Sequence, residues 1–154
     1  ANVNSSAQQV LSGSKDEIAA AAAVAKELGI KRALPLATAG AFHSKFMQPA
    51  REKLAPVLDG IAFSAPKIPV LSNVTGKPHD SDPSAIKALM LEQVTGTTNW
   101  AADVEAAKAL GCTRFVEFGP GKVLSGLIKK IDAALTTVNV SDLASLDATV
   151  AALG

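Results

Sequence analysis

The stretch Thr113–Val140, TRFVEFGPGKVLSGLIKKIDAALTTVNV, decides the fold class. TRFVEF is a short apolar run of strand length, and Gly119-Pro120-Gly121 turns the chain out of it. Helical spacing of apolar residues then continues to about Ile131, and TTVNV is a second β-rich run. Two strands joined through a helix pair in parallel by a right-handed crossover, which calls for helices packed on the sheet. A last helix is expected from Asp142.

Reading outward, the same alternation extends back to residue 68. IPVLSNVTG is a β-rich run closed by turn residues, Asp82-Pro83 caps and starts a helix carrying Ile86, Leu89, Met90 and Gln93, and TNWAADVEAAKALG reads as another helix with Asn99 at its cap. Upstream, QQVLSG reads as a short strand. Ser14 and Glu17 have the spacing of a capping box that opens an alanine-rich helix ending near Gly29. KRALPLA reads as a further strand, and a helix is expected from about Pro49 to Asp59 with a kink at Pro56. The whole is an α/β pattern with a parallel sheet.

Composition excludes several functions. The chain has 154 residues, is 48% hydrophobic and 19% charged, and is long enough to bury a core. Its 15 basic and 14 acidic residues are interspersed, so no broad field steers it to nucleic acid or to an anionic membrane. Cys112 has no partner for an internal disulfide, and Cys112, His43 and His79 lack the spacing of a metal site. A reducing cytoplasm is the expected compartment. There is no run of 18 apolar residues, ANVNSSAQQV does not read as a signal peptide, and the absence of an initial methionine suggests a piece of something longer.

The candidate chemistry is sparse. His79 sits in GKPHDSDP, read as a solvated loop, whereas His43 in LATAGAFHSKFMQPA follows a strand-like run through a glycine-containing turn and precedes a helix. Open α/β sheets place their sites at such junctions, although spacing alone leaves a packing histidine and a catalytic one equally open. GPGK lacks the phosphate-loop spacing and reads as a tight strand-to-helix turn, and no dinucleotide fingerprint or paired-carboxylate site is present.

NVNSSAQQVLSG, KRALPLATAGAFHSKFMQPAREKLAP, PVLSNVTGKP, LEQVTGTTNWAADVEAAKALG and FVEFGPGKVLSGLIKKI, in this order, resemble the malonyl-CoA:acyl carrier protein transacylases, a fold also used in polyketide synthases. The resemblance runs collinearly from residue 2 to about 131. It implies a hydrolase-like large subdomain with a parallel sheet, residues 38–154, and part of a ferredoxin-like small subdomain, residues 1–37. The implied activity is transfer of malonyl from coenzyme A to the phosphopantetheine thiol of acyl carrier protein, with no cofactor.

In the family a serine within G-H-S-x-G is the nucleophile. His43 matches the catalytic histidine, and Gln93 matches the residue whose backbone carbonyl accepts a hydrogen bond from its other nitrogen. Phe42 matches the phenylalanine of the AFH motif of malonyl-specific enzymes. Asn73, Asn4 and Gln8 fall on segments near the site, where turn hydrogen bonding is an equally good reading. No serine here has glycine two residues before and two after, so the chain resembles the C-terminal half of the enzyme, and its N-terminal half with the serine becomes an expected partner. A non-catalytic module binding acyl carrier protein or coenzyme A, a polyketide synthase piece, and an unrelated α/β domain with a packed His43 are the rival readings.

Overall fold

Two parallel strands, Arg114–Phe118 and Thr136–Val140, pair from Arg114 opposite Thr136 to Phe118 opposite Val140, joined by the helix Val123–Ile131. This computed structural model describes residues 1–154. In chain order its elements are β1 (Asn2–Ser5), β2 (Gln8–Val10), α1 (Lys15–Glu27), α2 (Gln48–Asp59), β3 (Leu71–Ser72), β4 (Lys77–Pro78), α3 (Pro83–Thr95), α4 (Trp100–Ala109), β5 (Arg114–Phe118), α5 (Val123–Ile131), β6 (Thr136–Val140) and α6 (Leu143–Leu153). A single 3₁₀ turn, Lys45–Met47, leads into α2.

Local chemistry accounts for most of these boundaries. Ser14 accepts from the Glu17 N–H while the Glu17 carboxylate accepts from the Ser14 N–H, the reciprocal pair expected from the sequence. The Asp82 carboxylate accepts from the N–H groups of Ser84 and Ala85 at the head of α3, where Pro83 has no N–H to leave unpaired. Asp142 and Ser145 cap α6 reciprocally. At the head of α5 the Glu117 carboxylate accepts from Leu124 and Ser125 N–H, so this helix start is satisfied by the chain's own acid and the Gly-Pro-Gly segment is the tight turn expected of it.

The core is small. Val104, Ile128 and Leu135 form its centre, with Trp100, Phe115 and Ile131 packed against it, so α4 and α5 close over the start of β6. The hairpin β3–β4 lies on α4, and Gly76 makes that approach possible: its φ is +64°, and a Cβ there would stand 2.3 Å from that of Ala102. β1 pairs antiparallel with β2, and it also bridges in parallel to Thr98.

Three expectations need correction. KRALPLA forms no strand; residues 31–37 have no ladder partner in the chain, and Pro35 offers no N–H to one. Of IPVLSNVTG only Leu71–Ser72 is a strand, and it pairs antiparallel, so the parallel sheet consists of β5 and β6 alone. Asn99 stands at the start of α4 without capping it, because its side chain donates instead to the Val74 carbonyl at 2.6 Å.

Asp103 on α4 is 3% exposed, and both its carboxylate oxygens lack a partner. Burial pushes its carboxyl up to about 6 from 3.8. The folded chain then holds this proton more tightly than the unfolded chain across that interval, so stability falls as pH rises from about 4 to about 6 and levels off above. The loss should be on the order of 2 kcal/mol by denaturant titration, and Asp103→Asn should flatten the slope. A parent and variant with parallel pH profiles would remove Asp103 as its source.

Candidate functional site

His43 is held where three pieces of chain converge. Its backbone has φ +56°, a left-handed conformation uncommon outside glycine and asparagine, which turns the chain sharply between the irregular segment before it and the 3₁₀ turn after it. Ser44 secures that turn, donating to the Ala41 carbonyl at 2.6 Å and accepting from the Phe46 N–H. α2 then packs along α3, where Arg51 donates to the Thr95 hydroxyl at 3.2 Å and Lys87 to the Asp59 carbonyl at 3.4 Å.

The imidazole meets the C-terminal end of α3. Nδ1 lies 3.0 Å from the Gln93 carbonyl oxygen and 3.1 Å from that of Gly96. Carbonyls only accept, so Nδ1 carries the proton and Nε2 presents its lone pair. The last carbonyls of a helix have no intrahelical donor and bear its partial negative charge, which suits them to hold an N–H that becomes cationic when Nε2 is protonated. On the other edge of the ring, the Thr98 hydroxyl lies 3.4 Å from Nε2, and the Gln93 side-chain amide donates to that hydroxyl at 3.0 Å. The arrangement fixes the tautomer of the imidazole and leaves Nε2 as the nitrogen that can accept a proton.

The structure brings the Gln93 carbonyl to His43, and adds Gly96 and Thr98, which sequence reading missed. The signal for Gly96 was its place directly after a long helix, where glycine frees a carbonyl; Thr98 carried none. Phe42 adjoins His43 in the chain and is 48% exposed. Asn73 contributes its carbonyl to the Asn99 N–H at 2.6 Å, at the foot of α4. Asn4 lies half-buried in β1 and Gln8 exposed at the start of β2, and no side-chain hydrogen bond ties Asn4, Gln8 or Asn73 to His43. His79, expected in a solvated loop, is half-buried with Nδ1 enclosed and unpartnered, and its backbone N–H donates to the Val70 carbonyl. No group of three or more His, Cys, Asp or Glu side chains is placed to hold a metal ion.

No family model matches the sequence. The malonyl CoA-acyl carrier protein transacylase of Bacillus subtilis is 42% identical over 142 residues, which is 92% of this chain and 44% of that protein. The chain is a partial homologue of the malonyl CoA-acyl carrier protein transacylases. The transacylase of Clostridium perfringens superposes with a TM-score of 0.93 at 38% identity, over 99% of this chain and 48% of that one. A malonyl-transacylase solved in complex with a type II polyketide synthase acyl-carrier protein gives 0.86 at 35% identity, over 98% of this chain and 48% of that one. The chain spans about half the length of the curated relatives it matches, consistent with a C-terminal half of the transacylase and a partial hydrolase-like fold.

The bonding of His43 to the end of α3 depends on Gly96. A Cβ at this position would stand 2.9 Å from the Glu92 carbonyl oxygen, so the end of α3 has to move to accept one. Gly96→Ala should destabilise the chain by about 1–3 kcal/mol in denaturant melts and shift the Nδ1–H proton resonance of His43. If midpoint and resonance both stayed at the parent values, this turn would not be what presents the second carbonyl.

Proposed function

We propose that this chain supplies the general-base half of a malonyl-CoA:acyl carrier protein transacylase, transferring malonyl from coenzyme A to the phosphopantetheine thiol of the carrier in the cytoplasm. The observation that carries the reading is the His43 clamp: Nδ1 bonded to the Gln93 carbonyl, Nε2 left as a proton acceptor, on a chain similar to these enzymes across nearly its whole length. A serine hydroxyl is a poor nucleophile at neutral pH, and the histidine removes its proton as it attacks the thioester carbonyl, then protonates the departing thiolate. The carrier belongs to fatty acid synthesis or to polyketide synthesis, since the proteins similar to this one include both kinds.

The nucleophile is expected from an N-terminal half bearing G-H-S-x-G. With 12 of 154 residues buried and large apolar side chains such as Leu34, Ile68 and Phe118 exposed at 64%, 72% and 75%, much apolar surface lies uncovered, which supports such a partner. The division into 1–37 and 38–154 belongs to the same reading, with β1 as the strand that ties the first part to Thr98 of the second.

The reading is tested by malonyl transfer to acyl carrier protein from this chain, from the N-terminal half and from the two combined. Only the combination should be active, and transfer by this chain alone would overturn the division of labour. In the combined protein His43→Ala should lower transfer by about 100-fold or more, the usual contribution of a general base. Transfer at the parent rate would remove His43 from the mechanism.

Phe42 is the proposed selector of the acyl group, its ring taking the space that an α-methyl substituent needs; Asn73, Asn4 and Gln8 are retained as possible substrate contacts. A methyl's worth of pocket discriminates by about 1–3 kcal/mol. Phe42→Ser should therefore raise kcat/KM for methylmalonyl-CoA relative to malonyl-CoA by about 10-fold. An unchanged ratio would reject this role.

A further inference from the structure

The Gln93 side chain and Thr98 do something that the Gln93 carbonyl does not. Thr98 is fixed on both sides by backbone bonds to β1 and the residue before it: its N–H donates to the Ala1 carbonyl at 2.8 Å, and its carbonyl accepts from the Val3 N–H at 2.9 Å. Its hydroxyl therefore stands on an ordered element rather than a free loop. The Gln93 amide donates to that hydroxyl oxygen at 3.0 Å, which directs the hydroxyl's own proton away from Gln93, and the acceptor on the other side is Nε2 of His43 at 3.4 Å. The same amide nitrogen lies 3.4 Å from Nδ1, where two protonated nitrogens make a contact and no hydrogen bond.

We propose that Thr98, oriented by the Gln93 side chain, is a positioning residue for the proton-accepting nitrogen of His43, keeping Nε2 partnered in both protonation states. This rests on His43 acting as the base proposed above. A hydroxyl can reverse its role, which a carbonyl cannot. While Nε2 is neutral and no nucleophile is in place, the Thr98 O–H donates to its single lone pair, and it gives up that lone pair when the nucleophilic hydroxyl arrives. When the nucleophilic hydroxyl attacks the thioester, its O–H bond breaks and an N–H bond forms at Nε2, and Thr98 rotates to accept from the imidazolium. The proton stays on Nε2 until the C–S bond breaks and the coenzyme A thiolate takes it as S–H. Thr98 gains and loses nothing, and the ring keeps its plane and height between the two transfers. Hydrogen bonds to a charged group are stronger than neutral ones, so the effect falls mainly on the stage with the imidazolium present.

The test has two arms, so that failure of this proposal can be told from failure of the transacylase reading. In the first, which needs no acyl transfer, the chain is labelled with ¹⁵N-histidine and the ring resonances are assigned with His79→Gln. Thr98→Val should move the neutral Nε2 resonance of His43 toward that of an unbonded ring nitrogen while leaving Nδ1 protonated, and Thr98→Ser should restore it. Gln93→Met keeps the backbone carbonyl and should shift Nε2 in the same direction by a smaller amount. In the second arm, malonyl transfer is measured with the N-terminal half present. Thr98→Val should lower kcat about 10-fold with KM for malonyl-CoA unchanged, and Thr98→Ser should recover most of it. An Nε2 resonance that stays at the parent position in both Thr98→Val and Gln93→Met would overturn the proposal, as would a serine variant no better than valine in either arm. An inactive parent with the expected resonance shifts would instead overturn the transacylase reading alone.

Discussion

Nδ1 of His43 reaches two carbonyls at the end of α3, 3.0 and 3.1 Å away, and three distant parts of the chain must be in place before it can. α3 has to start at Asp82 and stop at Gly96, so that the Gln93 and Gly96 carbonyls are left without intrahelical donors. α2 has to lie along α3, because the 3₁₀ turn that introduces α2 is what carries His43 past the end of α3. The left-handed backbone at His43 then aims the ring back at that helix end. A residue held in this conformation costs on the order of 1 kcal/mol or more and persists where its surroundings determine it, which is the situation of a side chain bonded on both edges.

The second edge of the ring depends on β1. Asn2–Ser5 runs beside Thr98, and Thr98 stands two residues before α4. α4 in turn carries Val104 and Trp100 into the small core with Ile128 and Leu135. The packing around β5, α5 and β6 and the geometry around His43 are therefore linked through one helix.

Sequence pattern carried the elements whose causes are local. The Ser14–Glu17 box, the Asp82-Pro83 start, the Gly-Pro-Gly turn and the strand–helix–strand unit at 113–140 were legible because each is decided by residues within a few positions of one another. KRALPLA was misread for the opposite reason: strand propensity needs a partner strand, and none in this chain pairs with it. Asn99 has the residue type of a cap, yet the Val74 carbonyl, 25 residues away, takes its amide instead. At the site, His43 and Gln93 came from a matched motif. Gly96 and Thr98 act through a carbonyl and a hydroxyl brought within reach by tertiary folding, and neither has a spacing that announces it.

A helix end is a different kind of support for a histidine from the carboxylate of a Ser-His-Asp triad. Both fix the tautomer by accepting from Nδ1–H. The carboxylate adds a formal charge that has to be taken out of water, and it stays ionised there only if other donors satisfy it. This chain shows the cost within a few residues of the site: Asp103, enclosed with no donor, is pushed up to about 6 and loses its charge on mild acidification. An aspartate placed against Nδ1 without further donors would face the same desolvation until the imidazolium formed. Two carbonyls at the end of α3 carry no formal charge to desolvate and have no proton to gain. They accept from Nδ1–H as uncharged groups that never titrate themselves.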